Sequence, residues 1–153
     1  LATGFEATSR RTRPNLQVGC LVYCRVSQAD RYIEPEVLCV DSDGRSNAFG
    51  ELPTIKEDEK NSGALKGFML FQCSINQSWS LQRPDCQILQ LLGKHLPFEI
   101  VIGANGRFAV DSPDITLSLM IRDWVLAGGA DEHLVKAAAK KYGRDVKDNG
   151  KEK

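Results

Sequence analysis

The stretch FEIVIGANGRFAV, residues 98–110, constrains the fold most. Two apolar runs flank Gly-Ala-Asn-Gly, and Asn-Gly between such runs is the strongest short-range hairpin signal. The reading is strand (98–103), turn, strand (107–111). Asn105 and Gly106 suit the two positive φ angles of a type I′ turn, which few other residues adopt cheaply. Gly103 permits close backbone packing. A Gly-x-x-Gly can also clamp nucleic-acid backbone, so its place among the neighbouring elements decides what it does.

Before the hairpin, GFMLFQCSI reads as a short strand and SINQSWSLQRP as a short helix that Pro84 stops. PDCQILQLLGKHLP spaces Ile88, Leu89, Leu91, Leu92, His95 and Leu96 at helical period, with Gly93 and Pro97 toward its end. After the hairpin, Ser112 is the expected N-cap and Pro113 the expected first helical residue. Ile115, Leu117, Leu119, Met120, Trp124 and Leu126 are the expected apolar face, and Gly128-Gly129 the stop. A last helix starts near Asp131. The order strand-helix-helix-strand-strand-helix, with the sheet covered on one face, is the layout of a type I KH domain, a binder of single-stranded nucleic acid. In a KH domain the phosphate-clamping Gly-x-x-Gly sits between the first two helices. Here that junction is SLQRPDCQ and has no glycine. The Gly-x-x-Gly lies instead on the hairpin, the wrong loop for the clamp, and Gly103, Asn105 and Gly106 are therefore read as structural.

The first third is β-rich. LQVGCLVYCRVSQA (16–29) alternates Val18, Cys20, Val22, Cys24 and Val26, and reads as one half-buried strand paired with PEVLCVD (35–41). DSDGRSNAFG is dense in turn formers. Its Asp41 and Asp43 suggest a cation loop, but EF-hand spacing fails and local Asx bonding explains them better. ELPTIKEDEKNSGALKG (51–67) is charged and reads as an exposed loop or linker.

Composition excludes several functions. Twenty Lys and Arg against twenty Asp and Glu give no net charge, so any nucleic-acid contact is local. No apolar run reaches the length of a membrane span, and no membrane partner is expected. The odd number of cysteines, five, set in apolar runs, indicates free thiols in a reducing compartment. Cys20 and Cys24 lack a second ligand pair for zinc, so neither metal nor cofactor is expected. His95 and His133 are far apart, and Ser74, Ser78 and Ser80 have no nucleophile-elbow context; the chain is not read as an enzyme. The arginines of SRRTRPN, Arg10, Arg11 and Arg13, are a local positive patch that can grip phosphates without reading sequence; on charge alone a solvated loop explains them equally well. Lys140, Lys141, Arg144 and Lys147 read as a solvated helix face.

Three stretches, RPNLQVGCLVYCRV, EPEVLCVDSDGRSNAFG and FEIVIGANGRFAV, resemble the ribosomal RNA-processing protein 40 (exosome component 3) family, non-catalytic cap subunits of the RNA exosome. The resemblance covers nearly the whole chain, and Gly-x-Asn-Gly is a specific mark of the family. It implies an α+β chain: a partial OB-type β-barrel of antiparallel strands followed by a type I KH-like domain. The implied domains are the C-terminal part of an OB domain (1–50), a linker (51–66), the KH-like domain (67–144) and a polar tail (145–153). Against the family pattern the chain begins part-way through the OB domain, supplies two or three of the roughly five strands such a barrel needs, and carries a long insert at 51–66. The resemblance implies that Gly103, Asn105 and Gly106 pack KH against OB domain. It also implies that Arg10, Arg11 and Arg13 face RNA at the mouth of a central channel. The implied function is to support assembly and guide single-stranded RNA to a 3′-to-5′ exoribonuclease. Other exosome ring and cap subunits are the implied partners, and nucleus, nucleolus and cytoplasm the implied locations. The alternative is a free-standing RNA-binding module in translation or RNA chaperoning, for which zero net charge and 7% aromatics are a poor fit.

Overall fold

The computed structural model describes residues 4–5, 14–47, 49–53, 56–57 and 65–142. The chain divides into two units, Leu1–Thr54 and Ile55–Lys153.

In the first unit, β1 (Leu21–Tyr23) pairs antiparallel with β4 (Gly50–Leu52), and β2 (Arg25–Gln28) with β3 (Glu36–Leu38). No closed barrel forms among the described residues. The single strand expected over 16–29 is thus two strands that change partner at Cys24. It also starts later. Gly19 takes a φ of 103° and Cys20 N–H donates to Gln17 O at 3.1 Å, which turns the chain before β1. Val18 and Val26, expected on the buried face, are exposed, at 109% and 60%. Alternation along one run cannot predict a face when the run serves two ladders. Tyr23 stacks on Phe49 with centroids 4.9 Å apart.

The stretch expected to be loop or linker is in strand at both ends. Its start is β4, and β5 (Lys56–Glu57) pairs with β6 (Leu65–Lys66). Its charged composition carries no alternating apolar pattern from which a strand could be read.

The second unit runs β7 (Met69–Gln72), α1 (Ile75–Leu81), α2 (Gln87–His95), β8 (Glu99–Gly103), β9 (Arg107–Asp111), α3 (Ile115–Ala127) and α4 (Glu132–Tyr142). The sheet order is β7-β9-β8, all antiparallel. The register sets Phe71, Phe108 and Ile102 abreast, and Met69, Val110 and Ile100 in the next row. Phe108 and Val110, on the central strand, join Leu81, Leu92, Leu96, Leu117, Ile121, Val125, Val135 and Ala138 in one core. This sheet face is the one the helices cover.

Local signals set the helix ends. Leu96 is the C-cap of α2, with extended backbone just before Pro97, where α conformation is disfavoured. Gly128 caps α3 with φ 71°. The expected N-cap Ser112 is corrected to Asp114, whose carboxylate accepts from Thr116 N–H at 3.1 Å. Pro113 accordingly lies before the helix. Two good cap residues stood two positions apart, and sequence could not choose between them. Ser112 shares a 2.7 Å hydrogen bond with the buried Ser118 hydroxyl instead. The apolar face of α3 also differs. Leu117, Ile121 and Val125 are buried, whereas Leu126 is 40% exposed. A helix apolar almost all round gives no clear face to periodicity.

Candidate nucleic-acid interface

The loop joining β8 to β9 is Ala104-Asn105-Gly106, and Gly103 pairs directly with Arg107 across it. Of its residues only Gly106 has positive φ, 74°, so the type I′ turn expected for Asn105-Gly106 is not formed. A three-residue hairpin loop ending in a left-handed glycine closes the strands instead. The hairpin signal in the sequence was right, but the same Asn-Gly spelling fits both loop lengths.

The hairpin is fastened to the start of the unit by three bonds. Cys73 N–H donates to Gly106 O at 2.9 Å. The buried Ser78 hydroxyl donates to Gly103 O at 2.5 Å, and Gln82 Nε2 donates to Ile102 O at 2.9 Å. Two further bonds tie α1 to α3: Gln77 Nε2 donates to the carbonyls of Val125 and Leu126 at 3.0 and 2.8 Å. Close approach makes both glycines specific. A Cβ on Gly106 would stand 2.8 Å from Cys73 O, and one on Gly103 2.6 Å from Asn105 Oδ1. Sequence reasoning found the glycines but considered Ser78 only as a nucleophile and passed over Gln82. Ser78 is one turn before Gln82 on α1, and their shared face is the one signal that could have paired them.

The α1–α2 junction, residues 82–86, is where a KH phosphate clamp would be. Gln82 N–H donates to Ser78 O at 3.1 Å, Arg83 N–H to Ser80 O at 3.4 Å and Cys86 N–H to Arg83 O at 3.2 Å. Pro84 has no N–H, and Asp85 brings a carboxylate. A phosphate arriving here meets mostly committed amides and a carboxylate that offsets the Arg83 guanidinium, which is not an anion-binding nest.

The other candidates separate. Arg10, Arg11 and Arg13 lie outside the described residues, as do Arg144 and Lys147. Lys140 and Lys141 are exposed on α4, and Lys141 Nζ sits 4.7 Å over the Tyr142 ring. Asp41 spends its oxygens on its own turn. Oδ1 accepts from the N–H groups of Asp43 and Arg45, both at 2.9 Å, and Oδ2 accepts from Asn47 Nδ2. No group of three or more metal-ligating side chains exists among the described residues. His95 is half-buried at the end of α2 and His133 is exposed on α4.

Two aromatic residues that the sequence reading did not single out are exposed. Tyr32 is 88% exposed at the β2–β3 tip, with the Arg31 guanidinium 6.0 Å from its ring centroid, and Trp79 on α1 is 62% exposed. Rings placed so can stack on bases. Asp30, Glu34 and Glu36 surround Tyr32 in sequence and work against phosphate there.

This arrangement defines a KH-type unit that lacks the glycine clamp, preceded by an open OB-like β unit. Comparison with known proteins gives both units a family. Residues 2–50 match the model for the S1 domain of exosome complex component RRP40, and residues 69–116 match a KH-domain model. Exosome complex component rrp40 of Schizosaccharomyces pombe is 41% identical over 121 residues, covering 78% of this chain and 45% of that protein. Exosome complex component RRP40 of Homo sapiens is 38% identical over 117 residues, covering 76% of this chain and 38% of that protein. The Drosophila melanogaster counterpart is 42% identical over 103 residues, covering 67% and 39%. The chain belongs to the family of exosome complex component RRP40. It spans about two-fifths of the length of these relatives.

Proposed function

We propose that this chain acts as a non-catalytic, RNA-binding cap subunit of the RNA exosome. It supports assembly with ring and other cap subunits and guides single-stranded RNA to a 3′-to-5′ exoribonuclease during RNA processing and degradation. The observation that carries this reading is a KH-type fold, joined to an S1 unit, whose α1–α2 junction has no glycine and few free amides. Such a unit contributes surface and rigidity and leaves phosphate contact to other loops. Asp41, the residue closest to a hydrolytic metal ligand, is committed to its turn, which supports a role without nuclease activity. Gly103, Asn105 and Gly106 form the structural motif through which the KH unit is held, and Arg10, Arg11 and Arg13 meet RNA phosphates. The role places the protein in nucleus, nucleolus and cytoplasm.

The test joins Arg10→Glu, Arg11→Glu and Arg13→Glu in one variant reconstituted into the full complex, followed by nuclease-protection footprinting of a long single-stranded RNA. Loss of phosphate contacts shortens the footprint and flattens the salt dependence of binding. Unchanged footprint and unchanged salt dependence would leave the arginines as solvated surface. Purification of the protein from cells distinguishes the subunit from a free-standing module, since only the subunit brings ring proteins with it.

A further inference from the structure

The β2–β3 ladder pairs Arg25 with Leu38 and Val26 with Val37. Both cysteines stand one residue beyond the ends of these strands, so the register extended by one step brings Cys24 opposite Cys39, and the two thiols are near enough to interact electrostatically. The segment just beyond the ladder is held close to β2 by a side chain: Arg25 Nε donates to Val40 O at 2.6 Å and its Nη2 to Asp41 O at 3.2 Å. Cys39 N–H is held by Gly4 O at 2.7 Å. Directly opposed residues of an antiparallel pair have Cα atoms roughly 4.5–5.5 Å apart, within the roughly 4.4–6.8 Å that a disulfide spans. The other cysteines lack such a partner. The registers set Cys73 opposite Gly106 and Cys20 opposite Pro53, and Cys86 caps α2.

We propose that Cys24 and Cys39 are a redox-modifiable dithiol, which a low-molecular-weight disulfide such as glutathione disulfide converts into a cross-strand disulfide. The two thiols are unequal. Cys39 is fully buried, while Cys24 is half-buried and open to a small reagent. Burial pushes the Cys39 thiol up, and a charge on Cys24 pushes it further, so Cys24 reacts first. The Cys24 thiolate attacks one sulfur of the reagent, whose S–S bond breaks and releases one glutathione thiolate. Cys39 then gives its proton to solvent and attacks the Cys24 sulfur, expelling the second glutathione thiolate. Two electrons and two protons leave the protein, and the reagent is reduced to two thiols. The product staples β2 to β3 below the tip that carries Tyr32. The site is independent of the RNA-guiding role.

The folded chain is incubated in glutathione buffers of rising oxidised fraction, alkylated and digested, with circular dichroism recorded on the same samples. A Cys24–Cys39 cross-linked peptide is expected at oxidised fractions where Cys20, Cys73 and Cys86 still alkylate as thiols. Cys39→Ser traps a glutathione adduct on Cys24, because the resolving thiol is gone. Cys24→Ser leaves Cys39 without an adduct. A stable Cys24 adduct in the unsubstituted protein, a cross-link to any other cysteine, or two free thiols throughout the series would each overturn the proposal.

Discussion

Between Leu21 and Leu52 four strands of three or four residues pair two by two, and among the described residues there Cys39 is the one hydrophobic side chain that is wholly buried. Between Met69 and Tyr142 ten side chains form a continuous buried core. The two regions have similar apolar runs in sequence, yet they hold themselves together differently. Isolated two-stranded ladders are marginal because each leaves both faces largely wet. The first unit therefore relies on backbone pairing, the Tyr23–Phe49 stack and the Asp41 turn. A three-stranded sheet with four helices gives every element an apolar face to cover, so the second unit relies on packing. One region is sensitive to loss of hydrogen bonds and the other to loss of volume.

The largest test of this contrast is Phe108→Ala. Phe108 is 1% exposed at the centre of β9, and removal of a buried ring costs about 3–5 kcal/mol. Val26→Ala, at an exposed site of β2, should stay within about 0.5 kcal/mol. Denaturant titration of both variants measures the difference, and equal losses would erase the distinction between the units.

A smaller effect is expected where the second unit depends on backbone geometry. Gly106→Val forces a β-branched residue to positive φ and drives Cβ against Cys73 O, for roughly 1–3 kcal/mol. The melting temperature should fall. A variant that melts normally but weakens RNA binding in the assembled complex would make the hairpin a clamp and not a brace.

The smallest effect belongs to the first unit's turn. Asp41→Ala removes the acceptor for the amides of Asp43 and Arg45 in an exposed loop, about 1 kcal/mol. Faster hydrogen exchange at those amides, with the second unit's core exchange untouched, is the expected signature. Unaltered exchange would show that the turn holds without its carboxylate.

Local physics made much of this legible from sequence. Asn105-Gly106 between apolar runs located the hairpin, Gly128 located the end of α3, and the missing glycine between Leu81 and Gln87 located the absent clamp. Each of these is decided within a few residues, by φ freedom, by capping or by the presence of an N–H. The faces of α3, the choice of Asp114 over Ser112 and the split of 16–29 into two strands were not legible. Each depends on which neighbour arrives from far along the chain.

The sequence by itself determined the element order of the second unit and the family of both units, because turn chemistry and helical period are written locally. Tertiary structure decided which of those residues work together. It brought Ser78 and Gln82 onto the carbonyls of Gly103 and Ile102, 25 and 20 residues away, and set Arg25 opposite Leu38, with Cys24 and Cys39 at the end of that ladder. Hydrogen-bond satisfaction of buried groups and strand register are properties of the packed chain, and no local pattern encodes them.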